Sequence, residues 1–438
     1  MEYKQAKERW RYTMKVMKKL CALLLAVAMS ASMLTACGSS SGSEEAAKGD
    51  EQVTVEFWTL ALQPTYTDFI QGLIDKYEAD NPNVKVNWQD LPYDAIEQKL
   101  LAATAGSNPP DVVNIWSQLA LTLAGKGALL DLEAAATDEQ KSIYIESMYN
   151  SAKLGDGVYA FPWYATPNVT VYNTELLAQA GITEIPATWD EAFAAAKDFK
   201  DKTGAYLITP SSMYHMLCYY DIPILTEDKT KAAFNNPEAV ELLSRLVEYV
   251  NEGVIAPNKW DDWDNDRQQY ANDKLGMLCS GPQTIARIRT ESPEKYAVTD
   301  VAESIYGPWG YTGAAVMNLV VPANSKHQEE GIKFANYLSN DGNQLAFAKE
   351  ASIFPTTKAA AADDYFKSDM DTVEGRTNYY ASLSAQKSTD MTLGIPNDNA
   401  VKLEIDNLMD MLFASNMTPE DALAQCEQSV NQLLAENQ

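Results

Sequence analysis

The sequence predicts an α/β protein, because segments typical of strands and segments typical of helices alternate along most of its length. Apolar residues alternate at Val53, Val55 and Phe57, which indicates a strand with one buried face. Apolar residues then recur at helical spacing over 69–77, and the same order is repeated over 84–116. Strands and helices that alternate at these lengths are typical of a parallel sheet covered by helices.

Breaks between the first elements are marked by residues that end helices. The sequence Asn81-Pro82-Asn83 interrupts the first helix, since a proline cannot continue it. Gly106 is suited to cap the second helix, which begins near Asp94. The first five predicted elements are a strand at 53–57, a helix at 69–77, a strand at 84–88, a helix at 94–106 and a strand at 111–116.

Capping residues mark three later helices. Thr188 stands three residues before Glu191, the capping-box arrangement in which each side chain satisfies a free N–H at the helix start. Asn236 and Thr418 each precede a proline suited to the first helical position. Because helices and strands interleave throughout, one α/β architecture divided into lobes fits better than separate α and β domains. Further strands are predicted at 169–172, 205–209, 275–279 and 316–321.

Composition and charge exclude some classes of partner. The chain of 438 residues has a net charge of −27 and 46% apolar residues. Its first 36 residues carry seven Lys and Arg against two acids, so the remainder carries −32. Such a surface repels nucleic acid and anionic lipid. A length of about 400 residues predicts two or more domains.

The N-terminal region has the features of an export signal. Lys15, Lys18 and Lys19 precede an apolar run at 20–29, which is shorter than the roughly 20 residues that a membrane span needs. The tetrapeptide Leu-Thr-Ala-Cys at 34–37 follows and resembles the lipobox of bacterial lipoproteins. This resemblance implies cleavage before the cysteine and attachment of lipid, such as palmitate, to its thiol.

The predicted mature protein is therefore anchored to a membrane by lipid. Residues 1–36 are predicted to be a lipoprotein signal peptide, for which Met14 or Met17 would be a more usual start. Residues 37–50 are predicted to be the lipidated Cys37 and a flexible tether rich in Gly, Ser and Glu. We expect the extracellular face of the cell membrane as the location, in a Gram-positive bacterium by family analogy.

Neither a metal site nor a cofactor is predicted. Cys218, Cys279 and Cys426 are far apart in sequence and form neither a disulfide framework nor a metal-binding pattern. They are expected to be buried as small apolar side chains. His215 and His327 have no metal-ligand spacing. Histidine-based catalysis has almost no support in the sequence.

One acidic stretch superficially resembles a calcium-binding loop. Asp262, Asp264 and Asp266 alternate, and Asp273 follows. The glycine that such a loop requires is replaced by Arg267, and the last acidic position is Asp rather than Glu. We therefore predict an acidic helix start, which favours the helix dipole.

Several short stretches occur in a characteristic order along the chain. They are 53–60, 109–113, 160–162 with 171–173, 189–193, 274–282 and 320–322. Together with the lipobox, they resemble the family 1 extracellular solute-binding proteins of ABC importers, which include maltose- and oligosaccharide-binding proteins. The resemblance runs from about residue 50 almost to the C-terminus.

The resemblance implies a type II periplasmic-binding-protein (Venus-flytrap) fold, in which a hinge joins two α/β lobes around a central ligand cleft. Residues 51–163 and 311–355 would form lobe 1, and residues 164–310 and 356–438 would form lobe 2. The implied activity is binding without catalysis: a carbohydrate, in particular an oligosaccharide, is delivered to the transmembrane subunits of an ABC permease. We expect a monomer. The predicted crossings between lobes lie near 161–165, 306–311 and 354–355.

Aromatic residues stand where a ligand is expected. In open α/β sheets, ligands bind beyond the carboxyl ends of the strands, and Trp58 and Trp116 end the first and third strands. A sugar has apolar C–H faces and hydroxyl rims, so its site needs flat aromatic platforms and a few polar side chains. Trp88 and Trp189 are predicted to pack in the core instead. The aromatic candidates are Trp58, Trp116, Trp163, Tyr164, Trp309 and Tyr311.

Polar candidates come from position and from the family resemblance. Ser117 and Gln118 follow the third strand. Gln283 follows a Gly-Pro pair at a position where the family often has an aromatic residue, a departure that argues against stacking at that point. A lone histidine such as His215 is more often structural than a ligand contact. The remaining candidates are Ser117, Gln118, Tyr214, His215, Gln283, Asn397 and Asn399.

Three other functions remain open from the residues alone. A secreted glycoside hydrolase needs two carboxylates across a sugar, one with a raised pKa, and no acidic pair stands in a recognisable motif. A binding protein for a peptide, polyamine or phosphorylated compound would need cleft acids for a polyamine, or Arg and helix N-termini for an anion. An adhesion or structural lipoprotein would show no saturable binding of a small molecule.

Overall fold

A computed structural model describes most of the chain. The predicted signal peptide, the predicted lipidation site Cys37 and the predicted tether lie outside the described residues, as does Asp94, the predicted start of the second helix. Residues Gln52–Gln438 fall into one compact unit. The described residues are 52–93, 95–106, 108–256, 260 and 262–436.

Strands and helices alternate as the sequence predicts. The strands are β1 (Val53–Leu60), β2 (Val84–Leu91), β3 (Val112–Trp116), β4 (Lys153–Leu154), β5 (Gly157–Val158), β6 (Phe161–Pro167), β7 (Val169–Asn173), β8 (Met277–Ser280), β9 (Thr299–Glu303), β10 (Thr312–Val320) and β11 (Ser388–Thr389).

The helices of the first half are α1 (Thr67–Asp80), α2 (Ile96–Ala105), α3 (Ser117–Gly125), α4 (Leu132–Ala135), α5 (Asp138–Ser142), α6 (Glu146–Tyr149), α7 (Thr174–Ala180), α8 (Trp189–Thr203) and α9 (Met213–Tyr219). Those of the second half are α10 (Pro237–Asn251), α11 (Trp263–Ala271), α12 (Gln283–Glu291), α13 (Pro293–Tyr296), α14 (Gln328–Leu338), α15 (Asp341–Ala351), α16 (Lys358–Ala361), α17 (Val373–Ala385), α18 (Asp398–Asp406) and α19 (Pro419–Ala435). A π-helical turn at Asp410–Ala414 separates the last two.

The first sheet has six strands and mixed direction. β1 pairs in parallel with both β2 and β3, which confirms the predicted parallel sheet for the opening region. β10 pairs antiparallel with β3 and with β6, and the short β11 joins the start of β10. The sheet is not parallel throughout, because β10 returns from the second sheet instead of following a helical crossover from β3.

The second sheet is smaller and antiparallel, with β7 between β8 and β9. The chain enters it directly from β6, since only Asn168 separates β6 from β7. β6 stays paired with β10 as far as Pro167, so this passage lies slightly later than the predicted 161–165. The return from β9 to β10 coincides with the predicted 306–311. The residue bounds of the two lobes remain a prediction.

Apolar side chains cover both faces of the first sheet. Val112 and Val113 are neighbours on β3 but belong to different clusters of buried residues, as the alternation of side chains along a strand requires. On one face, the ring of Phe57 lies 6.3 Å from that of Trp163 and 5.2 Å from that of Phe334. A separate large core forms around α8, α9, α10, α18 and α19.

The predicted helix starts are confirmed. Thr188 and Glu191 form the capping box of α8. The Asn236 side chain accepts a hydrogen bond from the N–H of Ala239, and a proline follows it at the start of α10. The Thr418 side chain accepts in the same way from the third residue of its helix, α19.

One predicted strand, at 205–209, is wrong. The structure forms only an isolated bridge between Tyr206 and Leu275 there. Pro210 follows and has no N–H to extend the pairing, while β8 pairs with β7. Trp189 is fully buried as predicted. Trp88 packs against the apolar cluster that contains Phe57, and its indole N–H donates to the Thr59 hydroxyl at 2.8 Å.

The acidic stretch begins a helix, as predicted. Asp262 accepts a hydrogen bond from the Asn265 N–H and caps α11. Asp264 pairs with Arg267. In the described part of the chain, no group of three His, Cys, Asp or Glu side chains is arranged to hold a metal ion. No helix in that part has the length and apolar character to cross a membrane.

Within the described part of the chain, Cys218, Cys279 and Cys426 form no disulfide bond. Cys426 is buried and Cys218 is half-buried, and burial raises the pKa of each thiol to about 12. Each therefore stays protonated at neutral pH.

Candidate functional site

A cavity of about 1120 Å³ lies between the first sheet and the helices of the large core around α8, α9, α10, α18 and α19. Trp116, Thr166 and Met317 line it from strands of the first sheet. His215 lines it from α9, and Gln283 lines it from the start of α12. The lining therefore combines side chains from the first sheet with side chains from helices outside that sheet.

Two stacked aromatic rings form part of this lining. Tyr93 follows β2 and Trp116 ends β3, and their ring centroids are 5.0 Å apart with planes inclined by 11°. β2 and β3 both run parallel to β1, so their carboxyl ends meet at one edge of the sheet. Tyr93 is 61% exposed. This edge presents an exposed, flat aromatic surface.

Asp390 ties α3 to β10 at the cavity. Its carboxylate accepts hydrogen bonds from the Ser117 hydroxyl, from the Val316 N–H at 3.2 Å and, at the limit of hydrogen bonding, from Gln118 Nε2 at 3.5 Å. The residue keeps some surface towards the cavity but is otherwise surrounded by protein. Burial raises its pKa to about 6, although Lys402 and the hydrogen bonds act in the opposite direction.

Lys402 supplies a positive charge to the cavity wall. Its Nζ lies 2.9 Å from Oδ2 of Asp398, which has no exposed surface, and 5.0 Å from the centre of the Tyr214 ring. The other carboxylate oxygen of Asp398 accepts from the Leu393 N–H at 2.7 Å. No other Lys or Arg is among the described lining residues.

Helix α9 contributes the wall opposite the sheet. Ser212 caps it by accepting from the His215 N–H, and Asp406 accepts from the Tyr214 N–H at 2.9 Å. The Tyr214 hydroxyl donates to the Met391 carbonyl at 2.5 Å, and burial raises its pKa well above the ordinary value. Tyr214 is thus fixed in place, and the half-buried ring of His215 lies beside it.

A glycine allows Gln283 to approach the first sheet. A Cβ atom at Gly281 would overlap the Gln283 amide and lie 2.6 Å from the Thr166 methyl carbon. A side chain at this position would force Gln283 and Thr166 to move, so glycine favours this packing. Gly281 therefore lets β6 and the start of α12 lie close together at the cavity.

The structure brings about half of the predicted site residues to one place. The predicted residues that line the cavity are Trp116, Gln118, Tyr214, His215, Gln283 and Asn399. Those that are not part of the described lining are Trp58, Ser117, Trp163, Tyr164, Trp309, Tyr311 and Asn397. Direct ligand contact remains a prediction for each.

Trp163 is the clearest difference from prediction. It is fully buried, and its ring packs 6.3 Å from that of Phe57 and 5.3 Å from that of Phe347, so it belongs to the core. Ser117 is also buried, and its hydroxyl is bound to Asp390.

The other predicted residues outside the lining have different surroundings. Trp58 and Tyr164 are half-buried against the apolar clusters that cover the two faces of the first sheet. The rings of Trp309 and Tyr311 are 4.9 Å apart at the return from β9 to β10, and Tyr311 is 42% exposed. Asn397 donates to the Leu433 carbonyl at 2.8 Å.

Sequence reasoning missed several lining residues. Tyr93 could have been found, because it follows the carboxyl end of the second strand just as Trp116 ends the third. Asp390, Lys402 and Asp406 carry no local signal. They reach the cavity only because the C-terminal region folds back against α3 and α9.

A match to a protein-family model decides the identity of the fold. Residues 72–372 match the model described as bacterial extracellular solute-binding protein. The chain belongs to this family. The match covers more than half of this binding protein and includes the second sheet and four of the six strands of the first sheet.

Two relatives are named for saccharides. This binding protein is 26% identical to the diacetylchitobiose binding protein DasA of Streptomyces coelicolor, over 96% of this chain and 100% of that one. It is also 26% identical to the maltodextrin-binding protein MdxE of Bacillus subtilis, over 77% of this chain and 80% of that one.

Solved structures show the same architecture. A candidate oligosaccharide periplasmic-binding protein from Synechococcus sp. MITs9220 superposes with a TM-score of 0.78 and 25% identity, covering 87% of this chain and 99% of that one. The cyclic alpha-maltosyl-1,6-maltose binding protein of Arthrobacter globiformis gives a TM-score of 0.74 at 21% identity, over 87% and 99% of the chains. The predicted two-lobed α/β fold is thereby confirmed.

Proposed function

We propose that this binding protein captures an oligosaccharide in the cavity and delivers it to the transmembrane subunits of an ABC importer. The observation that carries the proposal is the stacked pair of the exposed Tyr93 and the half-buried Trp116 on the cavity wall. Aromatic faces pack against the C–H faces of sugars, and a pocket lined in this way needs only a few polar groups to orient the ligand.

The polar lining suits a ligand that is rich in hydroxyl groups. Gln118, Gln283 and Asn399 have amides that both donate and accept, and Asp390 accepts. The volume of about 1120 Å³ exceeds the roughly 300–1,000 Å³ of ordinary small-molecule pockets. These features support an oligosaccharide, as do the saccharides for which DasA and MdxE are named.

The proposed mechanism is closure of the two lobes around the ligand. A ligand that contacts both walls binds the closed form more tightly and shifts the population towards it. The passages between the sheets at Asn168 and between Glu303 and Thr312 are where we place the hinge. The closed form would then dock on the permease as a monomer and perform no chemistry on its ligand.

The proposed anchor is the lipid on Cys37. Removal of the signal peptide at 1–36 would leave the tether at 37–50 between the membrane and the folded part. The protein would then stay at the extracellular face of the cell membrane of a Gram-positive bacterium. Loss of membrane attachment in a Cys37→Ala variant, measured by cell fractionation, would support this; unchanged attachment would contradict it.

A ligand screen tests the binding function. Thermal unfolding and tryptophan fluorescence are recorded against mono- and oligosaccharides, amino acids, peptides and polyamines. A ligand at 100 times its Kd adds about 2.7 kcal/mol to the free energy of unfolding. Saturable binding of an oligosaccharide that is recovered intact supports the proposal. Binding of peptides or polyamines alone contradicts the ligand class, and release of shortened sugar products favours a glycoside hydrolase.

A further inference from the structure

Two helices at the cavity have N-terminal groups that are bound to carboxylates of the protein itself. At the start of α3, Asp390 accepts a hydrogen bond from the Ser117 hydroxyl. At the start of α9, Asp406 accepts from the Tyr214 N–H at 2.9 Å. A helix N-terminus attracts anions because its free N–H groups carry partial positive charge. At α9 the protein's own Asp406 therefore occupies a place that an anionic ligand would use, whereas at α3 Asp390 binds the side-chain hydroxyl of the first residue.

The lysine of the cavity wall is also compensated. Lys402 Nζ lies 2.9 Å from the fully buried carboxylate of Asp398. The same ammonium acts on Asp390, whose pKa it lowers against the effect of burial. The single positive charge of Lys402 therefore interacts with two carboxylates. Lys402, Asp398 and Asp390 together carry a net negative charge.

Among the described residues, the other charged groups around this centre do not reverse that balance. Asp410 lines the cavity and adds another carboxylate. Arg267, on the neighbouring helix α11, pairs with Asp264 and Glu291. Arg287 lies 3.9 Å from Asp264, and neither arginine is among the described lining residues.

We propose that the cavity selects saccharides without acidic groups, binding neutral and amino-bearing sugars and excluding uronates; this inference rests on the carbohydrate function proposed above. Carboxylate oxygens accept hydrogen bonds from hydroxyl and ammonium groups. The carboxylate of a uronate would instead meet like charges, with the cavity lysine already paired. The net charge of −27 on the whole chain acts in the same direction.

Calorimetric titration of the full-length chain with trisaccharides tests this selection. The neutral probes are maltotriose and cellotriose, the amino probe is the β-1,4-linked glucosamine trimer, and the acidic probes are the galacturonate and β-1,4-glucuronate trimers. We expect at least one neutral or amino trimer to bind, and every acidic trimer to bind more weakly by on the order of tenfold or more. The difference should shrink between about 0.01 M and 1 M salt, because screening shortens the reach of the charges.

A charge-neutral double variant identifies the groups responsible. Asp406→Asn with Asp410→Asn keeps the side-chain shapes and should narrow the difference between neutral and acidic trimers. The matched control, Asp198→Asn, removes an exposed carboxylate on α8 outside the cavity and should preserve the difference. An unchanged difference in the double variant would overturn the role of these carboxylates.

The outcomes separate the two proposals. Acidic trimers that bind as tightly as neutral ones would overturn the charge selection and leave the carbohydrate function standing. Absence of binding by every saccharide in this set and in the broader screen would overturn the carbohydrate function, and the charge selection with it.

Discussion

The ammonium of Lys402 lies 2.9 Å from the carboxylate of Asp398, a residue with no exposed surface. Replacement by Lys402→Met would leave this buried charge without its partner. Breaking a buried pair in this way costs about 3–5 kcal/mol, so the free energy of unfolding should fall by that amount in denaturant titration. Lys333→Met is the control, because Lys333 pairs with Glu329 and Glu330 at the surface and should change stability by less than about 1 kcal/mol. Equal losses in both variants would contradict the assignment.

Tyr93 should contribute to binding and little to stability. It is exposed and stacks on Trp116, so Tyr93→Ala removes half of the aromatic surface without opening the core. Aromatic pairing is worth about 0.5–1.5 kcal/mol beyond area burial, which corresponds to a loss in saccharide affinity of roughly 2- to 13-fold. Titration calorimetry measures the loss. Tyr379→Ala, outside the described lining, is the control and should leave affinity unchanged.

Asp390 should make stability depend on pH. Burial raises its pKa from 3.8 to about 6, so between these values the folded protein binds more protons at this carboxyl than the unfolded chain does. Its contribution to stability is therefore favourable at low pH and is lost as pH rises through about 6, a change on the order of 3 kcal/mol.

The variant Asp390→Asn removes this titration. Unfolding in denaturant at pH 4, 5, 6 and 7 should show the variant gaining stability relative to the parent protein as pH rises. A difference between the two proteins that is the same at pH 4 and pH 7 would refute the assignment.

Gly281 should be intolerant of a side chain. A methyl group there would overlap the Gln283 amide and the Thr166 methyl, so Gly281→Ala should displace Gln283 and lower stability by about 1–3 kcal/mol. Gly72→Ala is the matched control. Nothing lies within 4 Å of its added Cβ, and alanine in α1 should stabilise by roughly 0.5–1 kcal/mol. Opposite shifts in the unfolding midpoint are expected, and a loss of stability in both would contradict the argument.

The parts of the fold that sequence could predict are those with local causes. The alternation at Val53, Val55 and Phe57 and the caps at Thr188 and Asn236 depend on neighbouring residues, and each prediction was correct. The antiparallel insertion of β10 has no such local cause. It arises because the chain leaves the first sheet and returns to it.

The candidate site also contains residues that local sequence can indicate and residues that it cannot. Trp116 could be placed at the cavity because the end of a parallel strand is a position that sequence can indicate. Trp163 is likewise a tryptophan that the sequence places at the cleft, but its side chain points into the core. Its position on β6 makes it face Phe57 and Phe347. Asp390 contacts a residue 273 positions away, and no spacing rule reaches that far.

The cavity takes its walls from the whole length of the described chain, from Tyr93 near the start to Ala414 near the end. The C-terminal region completes this cavity, so both walls exist only once Asp390 has met α3 and Lys402 has met Tyr214. A ligand that needs both walls can therefore stabilise the protein only after the last helices have docked.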